Sequence, residues 1–199
     1  MPGMGKGRLE AFSDGVIAII ITIMVLELKV PASHGAGLGE LRPLLPVFLS
    51  YVLSFVYVGI YWNNHHHMLH ATQRVSGTVL WANLHLLFWL SLFPFTTAWM
   101  GENHFEPVPT ATYGAVLLMA AIAYLILERT ILRLHPADSL LAEAVKSDFK
   151  EWISLVCYAL AIPLAFVSTW IAEFLYASVA VLWFIPDRRI ESRMSKRED

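Results

Sequence analysis

Apolar residues in this chain come in long unbroken runs. They do not alternate as in a half-buried strand, nor do they form the single stripe of a surface helix. The first run covers 12–30, FSDGVIAIIITIMVLELKV, and others cover 44–62, 79–100 and 110–127. A hydrocarbon core about 30 Å thick takes about 20 helical residues to cross, so each of these runs is long enough for one span. The last apolar region, 152–185, would measure roughly 51 Å as one helix at about 1.5 Å per residue. It is therefore expected to divide into two short helices, 151–168 and 171–186, with the turn at Ser168-Thr169-Trp170. The pattern predicts an all-α integral membrane protein: six transmembrane helices in a single domain over 1–199, ending in a basic tail at 187–199.

Punctuation along the chain refines the spans. Asp14 stands at the start of the first run and Glu27 and Lys29 at its end, and no small-residue cleavage site follows. This reads as a retained helix and not as a signal peptide. Pro31 and the Gly-rich SHGAGLG segment close it. The third run contains Pro94, and the stretch from Glu128 to Lys150 is the most polar internal segment, expected as an amphipathic or solvated connector.

Composition agrees with the pattern. Hydrophobic residues make up 57% of the 199 and charged residues 15%, with a mean hydropathy of +0.57. Soluble domains carry about 25% charge, and disordered chains lack this apolar content. The one cysteine, Cys157, rules out a disulfide scaffold and reads as a packing residue within a span. A net charge of −2 gives no reason to expect nucleic acid as a partner.

Charge sets the orientation. With six spans and both termini cytoplasmic, every Lys and Arg except Lys29 and Arg42 lies on the cytoplasmic side, as the positive-inside rule requires. A single long last helix would move either the connector or the tail to the other side. Glu102 and Glu106 then fall in an external loop. Tyr61, Trp62, Trp81, Trp99, Trp170 and Trp183 lie near span ends and read either as interfacial anchors or as core packing.

The sequence holds no P-loop, GxSxG, HExxH or CxxC motif, so no enzyme and no cofactor is expected. The TVGYG filter of ordinary potassium channels is also absent. Four groups of residues carry possible chemistry. Arg8, Ser13 and Asp14 at the start of the first span form either a solvated, capped helix end or a buried network. The segment Trp62-Asn63-Asn64-His65-His66-His67, with His70, has i,i+3 and i,i+4 histidine spacings. That suits a metal or simply a polar cytoplasmic helix end. Asn83 and His85 in the third span suit hydrogen bonds between helices. Finally, Ile19, Thr22, Ile23 and Leu26 fall on one helical stripe, open to lipid contact, helix packing or a pore. Within it the Thr22 hydroxyl can bond back to the Ala18 carbonyl.

Arg8-x-x-x-Phe12-Ser13-Asp14-Gly15, followed by Ala18-Ile19 and Thr22, resembles the signature of the transmembrane protein 175 family of endolysosomal potassium channels, in its short prokaryotic form. Trp62-x-x-His65-His66, Asn83 and Phe93-Pro94-Phe95 resemble the same family's second and third helices. The likeness in motifs covers roughly residues 8 to 100.

The resemblance implies a homotetramer whose first helix lines a central pore in the prokaryotic plasma membrane, passing monovalent cations with K+ as the permeant ion. It assigns Ile19, Ile23 and Leu26 to gate and constriction and Thr22 to a polar layer. Selection of K+ over Na+ would rest on partial dehydration and on that threonine ring. Arg8, Ser13 and Asp14 would form a hydrogen-bonded brace to Trp62, His65, His66 and Asn83. The alternative from the residues alone is a secondary transporter or metal exporter using the His65–His70 cluster.

Overall fold

The computed structural model describes residues 5–31, 37–72, 74–134 and 148–184. The expected tail at 187–199 and the middle of the connector lie outside the described residues. Among the described residues the chain is helical: α1 (Lys6–Leu26), a 3-10 segment (Leu38–Leu44), α2 (Leu45–Ala71), α3 (Gly77–Ser91), α4 (Phe93–Glu102), α5 (Pro107–Leu132), α6 (Asp148–Leu164) and α7 (Thr169–Phe184). α3 and α4 continue one another, so the described residues form six rods. Four are long and apolar enough to cross a membrane: α1, the 3-10 segment with α2, α3 with α4, and α5. α6 and α7, of 17 and 16 residues, reach only about 25 Å at 1.5 Å per residue.

Several boundaries differ from the hydropathy pattern. α1 starts at Lys6 and stops at Leu26, whereas the apolar run covers 12–30. Lys6, Arg8, Leu9 and Glu10 are good helix formers, so the helix begins outside the apolar stretch. The third span is broken at Leu92 because Pro94, in the first turn of α4, has no N–H to continue the ladder. α5 runs to Leu132 and buries Glu128, so the connector begins later than its polarity suggests. The final hairpin turns just after Leu164, with Ala165 N–H on Ala161 O and Ser168 N–H on Leu164 O. Pro163 sits in the last turn of α6, which moves the break a few residues ahead of Ser168-Thr169-Trp170.

α5 is the centre of the bundle, packed on α3, α4, α6 and α7. α1 lies to one side against α2, α3 and α4. Two glycines let neighbouring helices come close. A Cβ at Gly101 would meet Val47 of α2, and one at Gly114 would overlap the Tyr176 hydroxyl, which donates to Thr110 O at 3.1 Å. Tyr61 is buried in the core, while Trp81 and Trp170 are exposed, as interfacial anchors would be.

The pore-helix candidate and its polar anchor

α1 has two faces of nearly equal hydrophobicity. Leu9, Ser13, Ile17, Ile20 and Met24 are buried against the bundle. On the other side Ile19, Ile23 and Leu26 are 58%, 42% and 75% exposed, and Thr22 is exposed between them. Among the described residues no other element covers this stripe. The Thr22 hydroxyl does bond back within the helix, but to Ile19 O at 2.9 Å and not to Ala18.

The buried face is held by a directed chain of hydrogen bonds. The Asn83 side-chain oxygen can only accept, so His65 Nε2–H donates to it at 2.7 Å. Asn83 Nδ2 donates to Ser13 Oγ at 2.9 Å, and Ser13 Oγ donates to Leu9 O at 2.9 Å. All three side chains are buried, and each donor meets an acceptor, which an apolar interior demands. α1, α2 and α3 are thereby tied at one point.

A second contact flanks this chain nearer the surface. Trp62 Nε1 donates to Asp14 Oδ1 at 3.1 Å. The Trp62 ring stacks on His66 with centroids 5.9 Å apart, and His66 stacks on His70 at 6.1 Å. Lys6 Nζ donates to the His70 carbonyl at 2.6 Å, satisfying a carbonyl that the end of α2 leaves open. At the other end of α1, Lys29 Nζ meets Glu102 Oε1 of α4 at 2.8 Å. The hydrogen bond it donates to Glu102 and the charge of that carboxylate push the Lys29 ammonium above the usual lysine value.

The structure thus brings together Ser13, Asp14, Trp62, His65 and Asn83. Arg8 stands outside the network: it is exposed and makes no side-chain bond among the described residues. His66 touches the network only by stacking on Trp62. His85 pairs with Trp89, whose Nε1 donates to His85 Nε2 at 3.0 Å. Among the described residues no three His, Cys, Asp or Glu side chains converge as metal ligands would. Two further polar groups escaped the sequence pattern. Ser54 bonds Thr97 Oγ1 at 2.6 Å and Tyr113 Oη at 3.0 Å in the core. A set of tyrosines also lines a cavity between α2, α5, α6 and α7. The i,i+4 pair Tyr57/Tyr61 is the one sequence signal that points to it.

Comparison with known proteins places the anchor and the stripe in context. Residues 8–94, which hold both, match the family model "Endosomal/lysosomal potassium channel TMEM175". The chain is 57% identical over 97% of its length to a potassium channel of Chryseobacterium sp. (strain P1-3), covering all of that protein. It is 35% identical over 82% of its length to a potassium channel of Streptomyces collinus, covering 84% of it. Its fold is similar to the crystal structure of a lysosomal potassium-selective channel TMEM175 homolog from Chamaesiphon minutus. The TM-score is 0.76 at 28% identity, over 89% of this chain and 95% of that one. With the family model matched over residues 8–94 and 57% identity across a whole potassium channel, this chain belongs to the TMEM175 family of ion channels.

Proposed function

We propose that four copies of this chain assemble around α1 as a potassium channel in a prokaryotic plasma membrane, with both termini cytoplasmic. The observation that carries this reading is the bare stripe Ile19, Thr22, Ile23 and Leu26, on a helix whose opposite face is fixed by buried hydrogen bonds. Rotation about the α1 axis is therefore set, and the stripe has one direction to face. The basic side of the chain and the names of its relatives agree with the assignment.

The chemistry follows from the side chains. α1 is continuous over Lys6–Leu26, so its carbonyls are bonded within the helix and are not free to form a filter of backbone oxygens. Rings of Ile19, Ile23 and Leu26 would make an aliphatic constriction, which blocks by dewetting when narrow and strips part of an ion's water when open. K+ releases water more readily than Na+, so K+ crosses such a ring at lower cost. The Thr22 hydroxyl spends its proton on Ile19 O, which leaves its lone pairs to replace water around a cation. The test is K+ flux into liposomes with particle mass measured on the same preparation. A particle of other than four copies, or vesicles tight to K+, overturns the proposal.

A further inference from the structure

The basic end of α5 forms a second feature, away from α1. Ile122, Leu125, Ile126, Arg129 and Arg133 share one face of that helix, and Trp152 of α6 stands beside them. Together they line a groove of about 430 Å³. The lining is graded along the helix axis. At 1.5 Å per residue Arg129 lies roughly 33 Å along α5 from Pro107, just past a hydrocarbon core about 30 Å thick, and Ile122 lies roughly 10 Å deeper. The floor is therefore apolar at the depth of acyl chains, and the rim is basic at the depth of headgroups. Arg129 and Arg133, four residues apart, are neighbours on the helix surface. Both are exposed, and Trp152 is 62% exposed. Arg129 also has an interaction within the chain, and its five N–H donors leave room for another. Arg133 makes no side-chain bond among the described residues, and neither does the Trp152 indole N–H. Among the described residues no Asp or Glu lines the groove.

Each part of the lining excludes a class of occupant. An inorganic anion would pair with the arginines and leave the isoleucine and leucine floor to water. An uncharged tail would cover the floor and leave the rim without an acceptor. A zwitterionic lipid would bring its own ammonium to two guanidinium groups, which repel it. A phosphate head above an acyl chain, with no cation of its own, satisfies floor and rim together. We propose that this groove binds an anionic phospholipid of the phosphatidylglycerol class. Its phosphate sits between Arg129 and Arg133, where guanidinium groups hold phosphate oxygens by paired charge-assisted hydrogen bonds. The first part of one chain lies on Ile122, Leu125 and Ile126, and the rest stays in the bilayer. Trp152 supplies an indole N–H at the level of the ester carbonyls, where tryptophan is enriched in membrane proteins. Basic pockets between helices at the cytoplasmic surface suit anionic headgroups for these reasons. The occupant bridges α5, the centre of the bundle, to α6, and it does not enter the α1 stripe.

The experiment is lipid binding to the full-length protein in detergent, read by native mass spectrometry. Phosphatidylglycerol and phosphatidylcholine with identical chains are titrated at equal ionic strength. Phosphatidylglycerol adds saturably, and phosphatidylcholine binds about tenfold more weakly or less. Arg133→Gln weakens phosphatidylglycerol about fivefold, the effect of one basic residue at a lipid surface, and the double variant with Arg129→Gln weakens it about twenty-fold. Phosphatidylcholine is unchanged in both. Arg8→Gln removes an exposed cation outside the groove and alters neither lipid. Arg133→Gln decides the matter if the double variant does not fold. Inorganic phosphate in large excess fails to displace the lipid, because it leaves the floor bare. Equal binding of the two lipids, equal losses in Arg133→Gln and Arg8→Gln, or displacement by inorganic phosphate overturns the proposal. Binding is read without conduction, so its failure is separate from a failure of the pore assignment.

Discussion

The two faces of α1 have almost the same composition and opposite fates. Ile17 and Ile20 are buried, and Ile19 and Ile23, two and three residues further along, are bare. Hydrophobicity cannot choose between them, because a lipid tail is as apolar as a leucine and gives no preference for either face. The choice is made by Ser13, which shares the face of Ile17, Ile20 and Met24 and bonds Asn83. In water an apolar stripe orients a helix. In this molecule the one buried side-chain hydrogen bond from α1 to a neighbouring helix lies on that face, with Trp62–Asp14 beside it nearer the surface.

The sharpest way to break that comparison is to remove the hub. Asn83→Leu takes away both bonds that converge on Asn83, one from His65 of α2 and one to Ser13 of α1. At the roughly 0.6 kcal/mol typical of one bond between membrane helices, the loss would be about 1 kcal/mol. His65 Nε2–H is then left buried without a partner, while Ser13 Oγ keeps only its bond to Leu9 O, which raises the cost to about 1–3 kcal/mol. Thermal unfolding in detergent should show this loss, and K+ flux should fall with it because α1 is no longer held in one rotation. Unchanged stability and flux would mean that packing alone orients α1.

The bare face should behave in the opposite way. Ile23→Ala shortens a side chain on the bare face of α1, 42% exposed in the single chain, so stability should change by no more than about 0.5 kcal/mol. The proposed constriction widens, conductance rises, and the K+ over Na+ permeability ratio falls toward one. Thr22→Ala should act more weakly, lowering that ratio a few-fold while conductance holds, since the aliphatic rings remain. Bi-ionic potentials on the two variants separate the roles: a ratio insensitive to both changes removes the stripe from the pathway.

Much of this architecture is legible in sequence because bilayer thickness fixes helix length, and lysine and arginine placement supplies the expected sidedness. The break in the last apolar region follows from its length alone, and its displacement to just after Leu164 follows from Pro163. The site was legible as a set of polar residues and not as a set of bonds. His65, His66, His67 and His70 look alike in a row, and only the packing of α2 on α3 shows that His65 alone meets Asn83. Trp62 and Asp14 are 48 residues apart, so no local pattern pairs them. Arg8 sits in the motif but outside the bonded network, because the first turn of α1 carries it to the exposed side. The tyrosine-lined cavity is assembled from four helices and leaves no periodic trace beyond Tyr57/Tyr61.

The smallest effect is expected at the outer end of α1, where Lys29 meets Glu102 in the open. This contact resembles the anchor in joining α1 to another helix, yet water solvates both partners when it opens, so exposed pairs contribute little. Lys29→Gln should therefore leave flux unchanged and lower the melting temperature only slightly, and the difference should vanish at high salt, where the charges are screened. Its pH dependence has a definite sign. The Lys29 ammonium is held above its ordinary value by Glu102, so the folded state binds this proton more tightly than the unfolded chain. The stabilisation is then fully present below the ordinary lysine value and is lost as pH rises through the raised one. Between neutrality and moderately alkaline pH, melting curves of the unaltered protein and Lys29→Gln should run parallel and converge only in strong alkali. A large loss of flux in Lys29→Gln at neutral pH would show that the outer strap, and not the buried Ser13–Asn83–His65 chain alone, fixes where α1 stands.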